Sequence, residues 1–157
     1  MNARIDYRQV APTALKALQQ VEIYIAGCGL PKPLIELVKL RASLLNGCAF
    51  CIDMHWKDAR AAGETEQRLY GLSAWSESPY YEASERAALA WTDALTNITA
   101  GHAPDVVYNE LRTQFDEKQI VDLSVVIGMI NLWNRLALGV RTPAGHYRPR
   151  VTATATT

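Results

Sequence analysis

The chain has 157 residues, of which 49% are apolar and 20% charged, the composition of one ordinary globular domain rather than a disordered chain. Sixteen basic residues balance sixteen acidic ones, so there is no broad positive field to hold nucleic acid or an anionic membrane. The N-terminal residues lack the charged-then-apolar layout of a signal peptide, and no apolar run is expected to approach the roughly 20 residues of a membrane span. The expectation is a soluble cytoplasmic protein. In a reducing compartment the three cysteines, Cys28, Cys48 and Cys51, point to redox or metal chemistry rather than a disulfide framework.

Helical spacing dominates the chain. Pro12 suits a first helical position, and Leu15, Leu18, Val21, Glu22 and Ile25 carry a helix that Gly27 and Gly29 end. Pro33 restarts the chain, and a second helix runs through Leu34, Leu37, Val38, Leu40 and Leu44 to Asn46-Gly47. Asn-Gly favours turn geometry and breaks the helix before Cys48. A third helix spans about Cys48 to Ala62, with Gly63 as its C-terminal cap. A short fourth runs from Thr65 to about Leu72, followed by a loop to Tyr81. Ser84 is the expected cap of a fifth helix, with Leu89, Trp91, Leu95 and Ile98 on its apolar side. A sixth spans Asp105 to about Gln114.

Asp116, with Gln119 three residues on, opens the longest helix through a variant of the capping box. Ile120, Val121, Leu123, Val125, Val126, Ile127, Met129, Ile130, Leu132, Trp133 and Leu136 make that helix apolar nearly all round, which predicts a central core helix with subunit contacts covering part of it. The expected architecture is all-α, a compact oligomeric bundle of six to seven helices. It forms one domain over residues 1–140, with 141–157, rich in Pro, Gly, Arg and Thr, as a mobile tail. Residues 151–157 have strand-like composition without a partner strand.

One segment carries chemistry: Gly47-Cys48-Ala49-Phe50-Cys51-Ile52-Asp53-Met54-His55. On a helix, positions i, i+3 and i+7 fall within about 60° of one another, and the Cα atoms of Cys48 and Cys51 stand roughly 5 Å apart, within disulfide range. His55 is about 6 Å from Cys51 and about 10 Å from Cys48 by the same geometry. A helix N-terminus stabilises thiolate, and an imidazole one turn on can exchange the thiol proton. This is the layout of a reactive dithiol with a resident acid–base. Zinc is an alternative, with Cys48, Cys51, His55 and Glu36 as ligands. Inert packing is another. Haem attachment is excluded because Ile52 stands where the histidine must be. A thioredoxin-type site lacks its βαβ setting.

The stretches Glu36 to Ser43, Asn46 to His55 and Asp58 to Glu64, with Glu85 to Trp91 and Trp133-Asn134-Arg135, resemble the alkylhydroperoxidase D-like family of the carboxymuconolactone decarboxylase superfamily. The resemblance covers residues from about 4 to 140. The family pattern is a glutamate, eleven residues, C-x-x-C, three residues and a histidine; Glu36, Cys48, Cys51 and His55 fit it throughout. The resemblance implies a helical fold, assembly into homotrimers or hexamers, and thiol-dependent reduction of hydroperoxides without a cofactor or resident metal. It implies attack by Cys51 on peroxide, resolution by Cys48, a proton relay through Glu36 and His55, and re-reduction by a dithiol such as a lipoyl-bearing protein. Peroxidase members carry a second histidine just before the second cysteine, where this chain has Phe50. The superfamily's decarboxylases lack the dithiol, so its presence argues against decarboxylation. The alternative is an oligomer that binds metal, or senses redox state, through the same cluster without turnover.

Among the remaining residues, Cys28 reads as a small buried filler and His102 and His146 as exposed. The tryptophans read as core or interface anchors, and Asp53 and Asp58 as outer-face residues of the third helix.

Overall fold

A computed structural model describes residues 2–149, and all regular structure among them is helical. The helices are α1 (Tyr7–Val10), α2 (Pro12–Gly27), α3 (Lys32–Asn46), α4 (Ala49–Ala61), α5 (Glu66–Gly71), α6 (Ala83–Thr96), α7 (Asp105–Gln114) and α8 (Glu117–Val140). Single 3-10 turns follow α5 and α6, at Leu72–Ala74 and Ile98–Ala100. The all-α expectation holds. The helix count exceeds it by one, because Asp6 caps the four-residue α1 by accepting the Arg8 N–H.

Helix α3 lies at the centre and packs against α4, α6 and α8. It is apolar on two sides. Leu34, Ile35 and Val38 join Ile25, Leu111, Leu123 and Ile127 in one core, while Leu37 and Leu40 join Ala59, Leu69, Leu72 and Leu89 in a second. Each fully buried leucine contributes about 1.5–3 kcal/mol, so the two cores fix α3 from both sides. A buried polar seam crosses the α3–α8 interface. Asn46 donates to Asn131 (3.0 Å) and Asn134 (2.8 Å), and Asn134 donates to Ser43 (3.1 Å). Such groups hold partners or cost stability. Here they pin the C-terminal turn of α3, from which the cysteine segment leaves.

Helix α8 corrects one reading. Its 24 residues are long and apolar enough to cross a membrane by length and composition alone. It packs instead on α2, α3 and α6 and buries Asp122, Asn131 and Asn134, as a core helix does. Its N-terminus forms the predicted box, Asp116 accepting from Gln119 N–H at 2.8 Å and Gln119 from Asp116 N–H at 3.0 Å. In α6 the cap is Glu82, not Ser84. Glu82 is extended and its N–H donates to Glu85 at 2.8 Å, which starts the helix two residues earlier and places Ser84 in its first turn.

Among the described residues beyond Val140 there is no helix, but the segment is tied down. Thr142 N–H donates to Ala137 O (2.9 Å), Gly145 N–H to Asp53 (3.2 Å), Lys57 Nζ to Tyr147 O (3.2 Å) and the Tyr147 hydroxyl to Asp58 (2.7 Å). Residues 141–149 therefore cross the outer side of α4. The strand-like stretch 151–157 lies outside the described residues.

Candidate active site

The site begins at a helix break. Gly47 ends α3 in the left-handed region (φ 66°, ψ 30°), a conformation that side-chain-bearing residues seldom adopt. Cys48 is then extended and acts as the N-cap of α4, its sulfur accepting the Cys51 N–H at 3.4 Å. The sequence reading placed Cys48 inside the helix; the turn at Gly47 puts it one residue before. The spacing expectation survives that shift. The Cα atoms of Cys48 and Cys51 are 5.3 Å apart, and their sulfurs are joined as a disulfide. Both cysteines are buried, in a small apolar cluster with Ala137 of α8 and the half-buried Phe50.

His55 is one helical turn beyond Cys51 and is also buried. Its Nδ1 meets Glu36 Oε2 of α3 at 2.9 Å. Burial by itself raises the Glu36 carboxyl, but the hydrogen bond to His55 and the charges of His55 and Lys39 outweigh it and hold Glu36 below its ordinary range. The structure thus brings together all four residues singled out from the sequence.

Two further groups belong to this arrangement. Asp58, read from the sequence as an outer-face residue, has a carboxylate close to Glu36 and His55, with ligand atoms of the three within 4.8 Å of one another. Burial raises Asp58 above the ordinary carboxylate range, the Tyr147 hydrogen bond opposes the rise, and the Glu36 charge adds to it. Asp58 stands three residues after His55, so its proximity was legible as a helical neighbour. Tyr147 lies eighty-nine residues beyond Asp58, and no local pattern could have placed it. The zinc set considered from sequence is not the cluster observed. The two sulfurs bond to each other, and the gathered oxygen and nitrogen ligands are those of Glu36, His55 and Asp58.

Cys51 and His55 line a cavity of about 230 Å³ whose walls include Phe50, Met54, Lys39 and Trp133. Glu22 fixes two of those walls, accepting from Lys39 Nζ and from Trp133 Nε1, each at 2.8 Å. Trp133 is therefore a wall of this cavity as well as a packing residue, whereas Trp91 is a core anchor as expected, donating to Ser124 at 3.0 Å. Cys28 is a free, partly buried thiol against the first core, and His102 and His146 are exposed.

Fold and site together define a helical protein that presents a paired-cysteine helix start beside a histidine–carboxylate pair. The chain belongs to the carboxymuconolactone decarboxylase family, whose sequence profile matches residues 11–94, and within it to the AhpD-like proteins. It is 43% identical over 140 residues to the uncharacterized protein YdfG of Bacillus subtilis (strain 168), covering 89% of this chain and 95% of that one. A crystal structure from Agrobacterium tumefaciens, of a protein of unknown function assigned to AhpD-type antioxidant defence, superposes with a TM-score of 0.90 at 45% identity. The match covers 93% of this chain and all of that one. The alkylhydroperoxidase AhpD core of a peroxidase-related protein from Ralstonia eutropha JMP134 shares the fold, with a TM-score of 0.78 at 16% identity over 88% of this chain and 74% of that one.

Proposed function

We propose that the protein is a thiol-dependent peroxidase that reduces hydroperoxides through Cys51 and Cys48. The observation that carries this reading is the juxtaposition of a C-x-x-C disulfide with a buried imidazole, itself held at 2.9 Å by a carboxylate, at one cavity. In the reduced protein the Cys51 thiolate attacks the terminal peroxide oxygen. The O–O bond breaks, the alkoxide leaves with a proton relayed through His55, and Cys51 becomes a sulfenic acid. The Cys48 thiolate then attacks the Cys51 sulfur, the S–O bond breaks, and hydroxide leaves as water by taking up the proton that the Cys48 thiol gave up, which gives the disulfide. A dithiol returns both sulfurs to thiols. Glu36 orients the imidazole and supports its cationic form. No cofactor is needed, and a reducing compartment such as the cytoplasm suits the cycle.

The assay is hydroperoxide consumption with a dithiol reductant, together with mass spectrometry of the cysteines after one equivalent of peroxide. Turnover with formation of the Cys48–Cys51 disulfide is expected. Cysteines left as thiols would refute the reading. A second reading rests on the 4.8 Å grouping of Glu36, His55 and Asp58, a carboxylate–imidazole set that suits a divalent cation. Stoichiometric metal in freshly purified protein, lost in a Glu36→Gln variant, would favour it.

A further inference from the structure

We infer that the disulfide is approached from two sides, and that the reducing dithiol attacks Cys48 from a second cavity roofed by the C-terminal segment. The inference rests on the thiol-peroxidase reading and adds the route of the reductant to it. The cavity that holds Cys51 and His55 does not include Cys48. A separate one, of about 540 Å³, is lined by Cys48 and not by Cys51 or His55. Phe50 and Ala137 line both and form the partition between them.

The roof of the second cavity comes from Thr142, Pro143, Ala144 and His146, on the segment that Gly145 and Tyr147 fasten to α4. The Thr142 N–H is used by Ala137 O, but its hydroxyl is buried without a hydrogen-bond partner among the described residues. Buried hydroxyls are seldom left so, and this one belongs to a residue lining the chamber beside Cys48. Phe50, Ala137, Leu138 and Pro143 supply apolar wall, which fits a dithiol carried on an alkyl chain.

The chemistry favours the same side. A thiolate attacks a disulfide sulfur in line with the bond it breaks, so an attacker of Cys48 comes from the side away from Cys51. The reductant's first thiolate bonds to Cys48 Sγ, and the Sγ–Sγ electron pair leaves on Cys51, which takes a proton through His55. The reductant's second thiolate then attacks its own first sulfur. Cys48 departs as thiolate and is protonated, and the reductant leaves as a cyclic disulfide. Two electrons and the reductant's two protons are thereby passed to the protein. Exchange is faster when the departing sulfur is the more stabilised thiolate, and Cys51 is the sulfur that shares its cavity with the imidazole.

The test uses protein oxidised with diamide, so that it does not depend on peroxide chemistry. After brief exposure to 2-mercaptoethanol and rapid quenching with N-ethylmaleimide, the mercaptoethanol adduct is expected on Cys48 and the maleimide on Cys51. The reverse labelling would overturn the inference. Ala144→Trp, which intrudes on the second cavity alone, should slow reduction by dihydrolipoamide about tenfold or more and leave peroxide oxidation of the reduced protein within about twofold. Met54→Trp, on the first cavity alone, should do the opposite. Equal slowing of both half-reactions by either variant, or no slowing of reduction by Ala144→Trp, would also overturn it. Failure of peroxide to oxidise the wild type would sink the peroxidase reading, and the diamide experiment would still decide which sulfur the reductant meets.

Discussion

Glu36 and His55 meet at 2.9 Å across nineteen residues, because α3 and α4 pack side by side and each gives one polar group to the buried seam between them. The contact makes Glu36 a stronger acid in the folded chain than in the unfolded one. Burial disfavours its charge, but the hydrogen bond to His55 and the charges of His55 and Lys39 more than offset this. A carboxyl lowered on folding stabilises fully above its ordinary value of 4.5, and that contribution is lost as pH falls through the lower folded value. Stability by urea denaturation should therefore decline from about pH 5 downward. Glu36→Gln should be less stable than wild type at pH 7 and lose less on acidification. Parallel acid profiles would contradict this account.

Tyr147 ties the C-terminal segment to Asp58, accepted by the two carboxylate oxygens at 2.7 and 3.0 Å. Asp58 is burdened first by burial, and the hydroxyl works against that burden. Tyr147→Phe should push the Asp58 carboxyl further up, visible in a carboxyl NMR titration. It should also cost about 1.5–3 kcal/mol of stability at neutral pH, the scale of a hydrogen bond to a charged group. An unmoved Asp58 titration would show that the contact is absent in solution.

The local patterns made most of the fold legible. Gly47, the Asp116–Gln119 box and the Pro-started α2 are devices whose partners lie within four residues, so sequence alone could place them. The four site residues were legible because C-x-x-C-x-x-x-H is a helical spacing and Glu36 matched a family pattern. Ser84 misled because two residues could cap α6, and the reciprocal bond with Glu85 favoured Glu82. Glu22, Lys39 and Trp133 come together from three helices, and Asp58 with Tyr147 from the two ends of an eighty-nine-residue separation. Contacts of that kind depend on how helices dock, which periodicity does not encode.

Phe50 separates the two cavities at the position where peroxidase relatives were expected to carry histidine. Phenylalanine cannot pass a proton, so in the proposed peroxidase cycle proton delivery beside Cys51 falls to His55. Phe50→His should raise the rate of the peroxide step about tenfold or more and add an ionisation near the ordinary histidine value of about 6.5 to its pH profile. An unchanged stopped-flow rate would mean that proton delivery does not limit the step.

Helix α8 leaves Val121 and Leu132 exposed, and Leu132 borders an apolar groove against α1 and α2 lined by Ala11, Leu15 and Leu18. A contiguous apolar groove of this kind marks a surface for subunit contact. Light scattering should give the mass of an oligomer, a trimer or hexamer, and Leu132→Glu should lower it. A monomeric wild type at micromolar concentration would refute the oligomer.

The two cysteines should respond differently to replacement, because the asymmetry lies in their surroundings. Cys51 shares its cavity with His55, whereas Cys48 caps α4 on the other side of Phe50. Cys51→Ser should abolish the reaction with peroxide. Cys48→Ser should still react once and then hold Cys51 as a sulfenic acid, detectable by dimedone labelling, since the remaining cysteine, Cys28, lies against the first core. His55→Ala should slow the peroxide step roughly 10²–10⁴-fold, the usual contribution of a positioned acid–base. The deficit should shrink at higher pH, where thiolate forms without the imidazole. A dead Cys48→Ser with a Cys51→Ser that still consumes one equivalent would reverse the two roles. Wild-type reactivity in both variants would place the chemistry away from the dithiol.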